Sequence, residues 1–346
     1  MTILQELQTA AGATFTDGIP TTYGNDDAAR TAAATGVALC DRSHWGYLEV
    51  SDSDRIRFLH NQTTNDFMTL QPGQGCQTVF VTSTARTVDL VSAYVLEDAV
   101  RLLCSPTCRE SLLAWMDRFI FFSDKVQLKD ITELTATLSL IGPQSHELLQ
   151  SLGLDMVEQP PQSHRIVKLG GIEVRVAAGS GLASPGYTLF TDIDAAPELW
   201  RLLTDRGALP LGDRLWEELR IMQGRPVPEQ ELTEDYNPLE AGLWQAVSFN
   251  KGCYIGQETI ARLHTYGGPK QLLWSLELSG PVATGERITV DGERAGVVTS
   301  VVQTPQGWRG LGYIRSKMGG AGLNFRSGEI AGTVVEAPFL TRQAES

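Results

Sequence analysis

The sequence predicts an α+β protein of two or three domains that ends in a small all-β barrel or sandwich. Three observations carry that expectation. Capped helical segments alternate with β-branched strand segments up to about residue 265. Residues 78–82, 87–96 and 100–104 read as a meander that passes straight into a helix starting at Pro106, which makes a compact α+β unit. After Pro269 the helix signals stop, and strands separated by glycine turns such as Asp291-Gly292 remain. At 346 residues the chain also exceeds what one ordinary core organises.

Taken in order, residues 26–35 form the first clearly punctuated helix, with Asn25 or Asp26 as its cap and Gly36 as its stop. Residues 37–39 read as a strand, CDRSHWGYLEV at 40–50 leads into another, and Ser53 caps a helix through Arg57, Phe58 and Leu59. The loop NQTTND at 61–66 carries amides and hydroxyls that bond local backbone more often than ligand. The helix after Pro106 presents Leu112, Leu113, Trp115, Met116 and Phe119. Residues 137–141 form a strand running through Gly142-Pro143 into a helix with His146, Leu148, Leu149 and Leu152, stopped at Gly153. Residues 166–169 and 172–176, joined by Gly170-Gly171, make the clearest hairpin. A strand at 186–191 and a helix at 197–206, closed by Gly207, come next. A helix at 213–223 follows, with Leu215, Trp216, Leu219 and Met222 on one face, ended by Pro226 and Pro228. The terminal strands are 272–278, 287–290, 295–302, 308–314 and 330–336.

Composition narrows the function classes. A net charge of -13 and the lack of a Lys/Arg run argue against a nucleic-acid or membrane-surface binder, so an anionic ligand needs a local cationic pocket. No apolar run approaches the ~20 residues that span a bilayer. The cysteines, Cys40, Cys76, Cys104, Cys108 and Cys253, are odd in number and scattered, and nothing reads as a signal peptide. That pattern fits a reducing cytosol and a cytoplasmic protein.

Standard sites fail on spacing: there is no GxGxxG after a strand, no phosphate loop, no HExxH, no GxSxG and no paired CxxC. Cys104 and Cys108 are poorly spaced for a metal, and no metal site is expected. What remains is NKGCYIGQETIARL at 250–263. Cys253 lies between Gly252 and Gly256, with Lys251 two residues before it and Gln257, Glu258 and Thr259 opening a short helix. Glycines permit close backbone approach, and a lysine with helix amides nearby favours thiolate over thiol. This is the profile of a reactive or ligand-gripping cysteine. The alternative is a small residue buried in a tight turn.

The run KGCYIGQE at 251–258, followed by Ala261-Arg262, resembles the signature of the YgfZ folate-binding family and its mitochondrial iron-sulfur assembly relatives. Supporting blocks extend the resemblance over nearly the whole chain: SHWGYLEV at 43–50, FLHNQTTND at 58–66, LRIMQGRPVP at 219–228 and NPLEAGLW at 237–244. The resemblance implies the fold of the aminomethyltransferase (glycine-cleavage T-protein) superfamily. That fold has two interleaved ferredoxin-like α+β units and a C-terminal β-barrel around a central folate channel. Residues 1–50 and 135–268 then form a split domain carrying the motif, 51–134 a second domain, and 269–346 the barrel. The implied ligand is tetrahydrofolate or a related reduced folate. Trp45 and Trp216 are its ring contacts, Lys251, Arg262 and Arg225 its cations, and Tyr254, Gln257 and Glu258 shape the pocket. For each tryptophan, core packing is the alternative.

Departures from the aminomethyltransferase pattern bear on chemistry. Where those enzymes carry two adjacent aspartates this chain reads Asp89-Leu90, a pterin-edge glutamate is Met222, and a further glutamate is Thr188. Leucine and methionine neither accept the pterin's donors nor hold a cationic intermediate. The expectation is therefore a folate-binding protein that supports assembly or repair of iron-sulfur clusters in client enzymes. Cys253 is its key thiol, as a redox-sensitive nucleophile or a transient cluster ligand. A folate-dependent aminomethyltransferase, and a non-catalytic scaffold docking an iron-sulfur assembly partner, are the alternatives.

Overall fold

The structure, a computed structural model, describes residues 1–154 and 159–343. The chain divides into two compact units, one made of residues 1–55, 70–76 and 92–217, the other of residues 56–69, 77–91 and 218–346. Among the described residues no helix is long and apolar enough to cross a membrane.

A six-stranded sheet organises the first unit. Its order is His164–Leu169, Ile172–Ala178, Gly186–Asp192, Thr135–Ile141, Ala38–Asp41 and Leu209–Leu211. All neighbours are antiparallel except the last pair, where Leu209 lies in parallel register with Ala38. One face is covered by the helices Ile3–Ala10, Ser145–Ser151 and Ala196–Asp205, which bury Leu4, Leu148, Leu149, Leu199 and Leu203 against Leu39, Leu138, Leu140 and Val174. The first of these helices is not anticipated above, although its signal is present: Thr2 accepts the Gln5 N–H, and Gln5 Oε1 accepts the Thr2 N–H at 2.9 Å, a capping box. The helix Asp26–Thr35 forms with the expected bounds. Asn25 precedes it without capping it, because its amide donates to the Pro210 carbonyl at 3.0 Å.

His164 tightens the edge of this sheet. Its Nδ1 accepts from Arg175 Nη1 at 2.9 Å, which leaves Nε2–H to donate to the Val95 carbonyl at 3.0 Å. Burial and then the Arg175 charge push its pKa down to about 4. Between an unfolded value of about 6.5 and that folded value, the unfolded chain binds the extra proton. Stability should therefore fall as pH drops through this window and level off below it, by about 2 kcal/mol after allowing for solvent screening. Urea unfolding of wild type and His164→Gln at pH 7.5, 6 and 4.5 checks this, and an equal loss in both proteins would exclude His164 as the source.

A five-stranded sheet has the order Gly75–Val81, Thr87–Val95, Ala99–Cys104, Gly46–Ser51 and Gln127–Asp130, so the expected meander forms and is extended by two further strands, both on the Ala99–Cys104 side. The helix before it starts at Arg55, so Asp54 and not Ser53 precedes its first turn. In the second unit the terminal strands close a six-stranded barrel ordered Gln271–Leu278, Gly307–Arg315, Glu293–Thr304, Arg287–Val290, Asn324–Ser327 and Ile330–Val335. Leu276, Ile288, Val298, Ile314, Phe325 and Val334 fill it.

The helix Asp213–Gln223 is buried over a wider arc than its apolar spacing suggests. Leu215, Trp216, Glu218, Arg220 and Ile221 are buried, whereas Leu219 and Met222 are half-buried. Polar burial is explained by pairing: Arg220 Nη1 meets Glu231 Oε2 at 2.9 Å, both side chains being fully buried. Arg220 Nη2 also donates to Ser300 Oγ at 3.0 Å, and Glu231 Oε1 accepts from Ser300 at 2.6 Å and Thr299 at 2.7 Å. Tyr313 closes the network by donating to the Glu231 carbonyl at 2.8 Å, its ring stacked on Tyr236.

Candidate functional site

The motif segment is fastened to the end of the helix Arg55–Gln62. Lys251 is buried, and its ammonium donates to the carbonyls of His60, Thr63 (2.8 Å) and Asn65 (2.6 Å). These belong to the last turn of the helix and the loop after it, where backbone acceptors lack intrahelical donors. Ile255 N–H adds a bond to the Asn61 carbonyl at 3.0 Å. FLHNQTTND and KGCYIGQE thus form one element. Its loop bonds backbone, only in part locally: Thr63 Oγ1 donates to the Leu59 carbonyl at 2.9 Å, whereas Asn65 Nδ2 donates to the Gln77 carbonyl at 2.7 Å and Thr64 Oγ1 to the distant Ala246 carbonyl at 2.6 Å. Contact of the Lys251 ammonium with a folate carboxylate or with the Cys253 thiol would require leaving three carbonyls, which makes this lysine an anchor of the turn.

Cys253 is exposed and free, so the reading of a small buried cysteine is set aside. The residues after it are held firmly. Tyr254 is buried with Ala85, Leu239, Trp244, Val247 and Ile260, its ring 4.6 Å from Lys251 Nζ, and burial pushes its phenol up to about 12. Gln257 Oε1 accepts the Tyr254 N–H at 3.3 Å. Gly256 has φ +79°, and a Cβ there would lie 2.8 Å from the Thr82 carbonyl oxygen, so both backbone and space demand glycine. Glu258 and Arg262 are exposed on the helix Gln257–Thr265. His60, which sequence reasoning passed over, has Nδ1 3.1 Å from Asp66 Oδ1, with its N–H not aligned on the carboxylate. Its Nε2 is 3.8 Å from where a Cβ on Gly252 would be. Burial first, and the Lys251 charge second, lower its pKa and hold the imidazole neutral. Arg225 is buried, donating to the Pro226 carbonyl at 3.3 Å, with its guanidinium 5.9 Å from the Phe339 ring.

In the first unit the two expected tryptophans meet. Trp45 and Trp216 pack edge to face with centroids 5.1 Å apart, and both are buried. Arg42, also missed by sequence reasoning, holds its guanidinium carbon 3.8 Å from the Trp45 ring and 5.3 Å from the Trp216 ring. Its signal is a basic residue inside the strand-like stretch CDRSHWG. Nearby, His44 Nε2 lies 3.6 Å from Asp213 Oδ1; burial pushes the His44 pKa down and the Asp213 pKa up. The residues named from sequence therefore fall into two groups, Trp45 with Trp216 in one unit and Lys251 to Arg262 in the other.

The three positions at which the resemblance leads one to expect acidic residues have packing or backbone roles. Leu90 lies in the apolar cluster of Val79, Val81, Leu232 and Leu243. Thr188 is buried and donates to the Gly179 carbonyl at 2.8 Å, and Met222 is half-buried.

The model of the GCVT N-terminal domain matches residues 8–251. The chain belongs to the GCVT family. Like relatives in that family, this GCVT chain aligns over nearly its whole length. It is 44% identical to a chloroplastic protein of Arabidopsis thaliana named "Putative transferase", covering 98% of this chain and 80% of the relative. It is 32% identical to an aminomethyltransferase of Rubrobacter xylanophilus over 99% of this chain and 94% of that one, and 28% identical to one of Halalkalibacterium halodurans over 94% and 92%. The crystal structure of glycine cleavage system aminomethyltransferase T from Bartonella henselae superposes with a TM-score of 0.85 over 100% of this chain and 99% of its own, at 23% identity. The GCVT chain thus has the T-protein fold, with mixed α+β sheets and a closed six-stranded C-terminal barrel.

Proposed function

We propose that this GCVT chain is a tetrahydrofolate-binding protein of the YgfZ type that supports assembly or repair of iron-sulfur clusters in client enzymes, with Cys253 as its key thiol. The observation that carries the reading is the exposed Cys253 on a turn fixed by Lys251, Tyr254 and Gly256. Rigid presentation of one thiol suits transient capture of iron or a cluster, and leaves the exposed Glu258 and Arg262 to face the partner or ligand, with Gln257 bracing the turn. The folate part is supported by the Trp45–Trp216 pair beside a buried cation whose Nε has no acceptor among the described residues, a setting that fits a flat, acceptor-bearing ring. When bound, the folate would supply a one-carbon carrier. With leucine, methionine and threonine at positions 90, 222 and 188, this chain lacks the carboxylates that aminomethyl transfer needs there.

Cys253→Ala and Cys253→Ser should fold with wild-type thermal stability and lose most of the support for cluster-dependent dehydratases, assayed in extracts of cells whose only copy is the variant. Full client activity with a stable Cys253→Ala protein would end the iron-sulfur reading. The aminomethyltransferase reading draws on the 28–32% identical relatives that carry that name. Formation of methylenetetrahydrofolate from an aminomethyl-lipoyl donor would establish it instead.

A further inference from the structure

Arg42 is an unusual charge to bury. It is 2% exposed, and no carboxylate lies within ion-pair distance of it among the described residues. Asp213, which acts on it through space, stands opposite His44. Of the five guanidinium N–H donors, the Nη1 pair alone finds acceptors, at long range: Ser139 Oγ at 3.2 Å and the Ser180 carbonyl at 3.4 Å. Nε is buried with no acceptor. The donors without acceptors are therefore those of the Nε–Nη2 edge, the edge on which arginine makes paired, parallel hydrogen bonds. Contact with Trp45 and Trp216 compensates part of the charge but satisfies none of these donors. The loop around Gly181 closes over the Nη1 side: a Cβ on Gly181 would come within 2.4 Å of Nη1, so that side has no room for a further group. A buried cation left in this state is costly to the unliganded fold, and an acceptor supplied by a ligand relieves it.

We infer that the Nε–Nη2 edge of Arg42 binds the 4-oxo edge of the pterin ring and so selects 4-oxo folates over their 4-amino counterparts. The inference rests on the folate reading above and adds the residue and the atom that set specificity. A 4-oxo group is an acceptor and meets the two N–H donors. A 4-amino group is a donor at the same place and leaves a buried cation facing N–H bonds, a mismatch in both partners. Hydrogen bonds to a charged donor discriminate by roughly 10- to 100-fold.

The test is anaerobic calorimetric titration with tetrahydrofolate and tetrahydroaminopterin, which differ at position 4 alone. Wild type should bind the 4-oxo compound at least about 10-fold more tightly. Arg42→Met should lose that preference and bind tetrahydrofolate about 10- to 100-fold more weakly. Its unliganded Tm should stay level or rise, because an apolar chain of similar length replaces a buried charge that is only partly compensated. Arg42→Lys keeps the charge without the paired edge and should lose the 4-oxo preference too, which provides the readout if the methionine variant does not fold. Equal binding of both compounds by wild type, or a preference retained in either variant, overturns the inference while leaving folate binding intact. If wild type binds neither compound, the folate reading fails and the inference with it.

Discussion

Replacing Lys251 with methionine should lower the unfolding free energy of the unit that contains it by about 3–5 kcal/mol, with little change in denaturant m-value. The size follows from the partners. One ammonium satisfies the carbonyls of His60, Thr63 and Asn65 at the end of the helix Arg55–Gln62. Methionine keeps an apolar chain of similar length but leaves those acceptors without the ammonium donor, at about 1–3 kcal/mol for each that water cannot reach. Two consequences separate this from loss of a reactive group. Amide exchange should accelerate in 59–66 and 251–256 together, because one tie holds both stretches. Cys253→Ala, whose side chain is exposed, should change stability by less than about 0.5 kcal/mol. A Lys251→Met protein as stable as wild type would show that the ammonium is free for another task.

The Arg220–Glu231 pair should respond differently to single and double substitution. Arg220→Met alone leaves the fully buried Glu231 carboxylate without its counter-charge and should cost about 3–5 kcal/mol. Adding Glu231→Gln removes the stranded charge while keeping an oxygen that accepts from Thr299 and Ser300, so the double variant should recover about 1–2 kcal/mol of that loss. A urea-unfolding cycle over the four proteins measures the coupling. If the two single losses simply add, the pair does not act as a unit, and the link from the helix Asp213–Gln223 to the barrel strands rests on apolar contacts such as Ile221 with Leu273 and Leu311.

Local signals made much of this protein legible in advance. The helix Asp26–Thr35, the hairpin at Gly170-Gly171 and five of the six barrel strands follow from stop glycines, turn residues and alternation, all of which act within a few residues, whereas the short barrel strand Asn324–Ser327 was not anticipated. KGCYIGQE likewise singled out Cys253, because no other stretch combines a nucleophile with that glycine spacing. Strand Leu209–Leu211 was not legible: three residues carry no periodicity, and its pairing partner is Ala38–Cys40, far away in sequence. The same limit governs the polar residues. Lysine in a glycine-rich motif reads as a ligand-facing cation, yet Lys251 is drawn into the interior by three carbonyls from 188 residues away in the case of Thr63. Arg42 has the identity of a surface residue and becomes one of the most deeply buried side chains, between two tryptophans that the chain brings together from positions 45 and 216. The sequence by itself determined the aminomethyltransferase superfamily, most element types and the candidacy of Cys253, since these rest on short-range pattern. Tertiary structure alone decided which charges are buried, because a charge enters the interior only where distant backbone or aromatic groups converge to receive it.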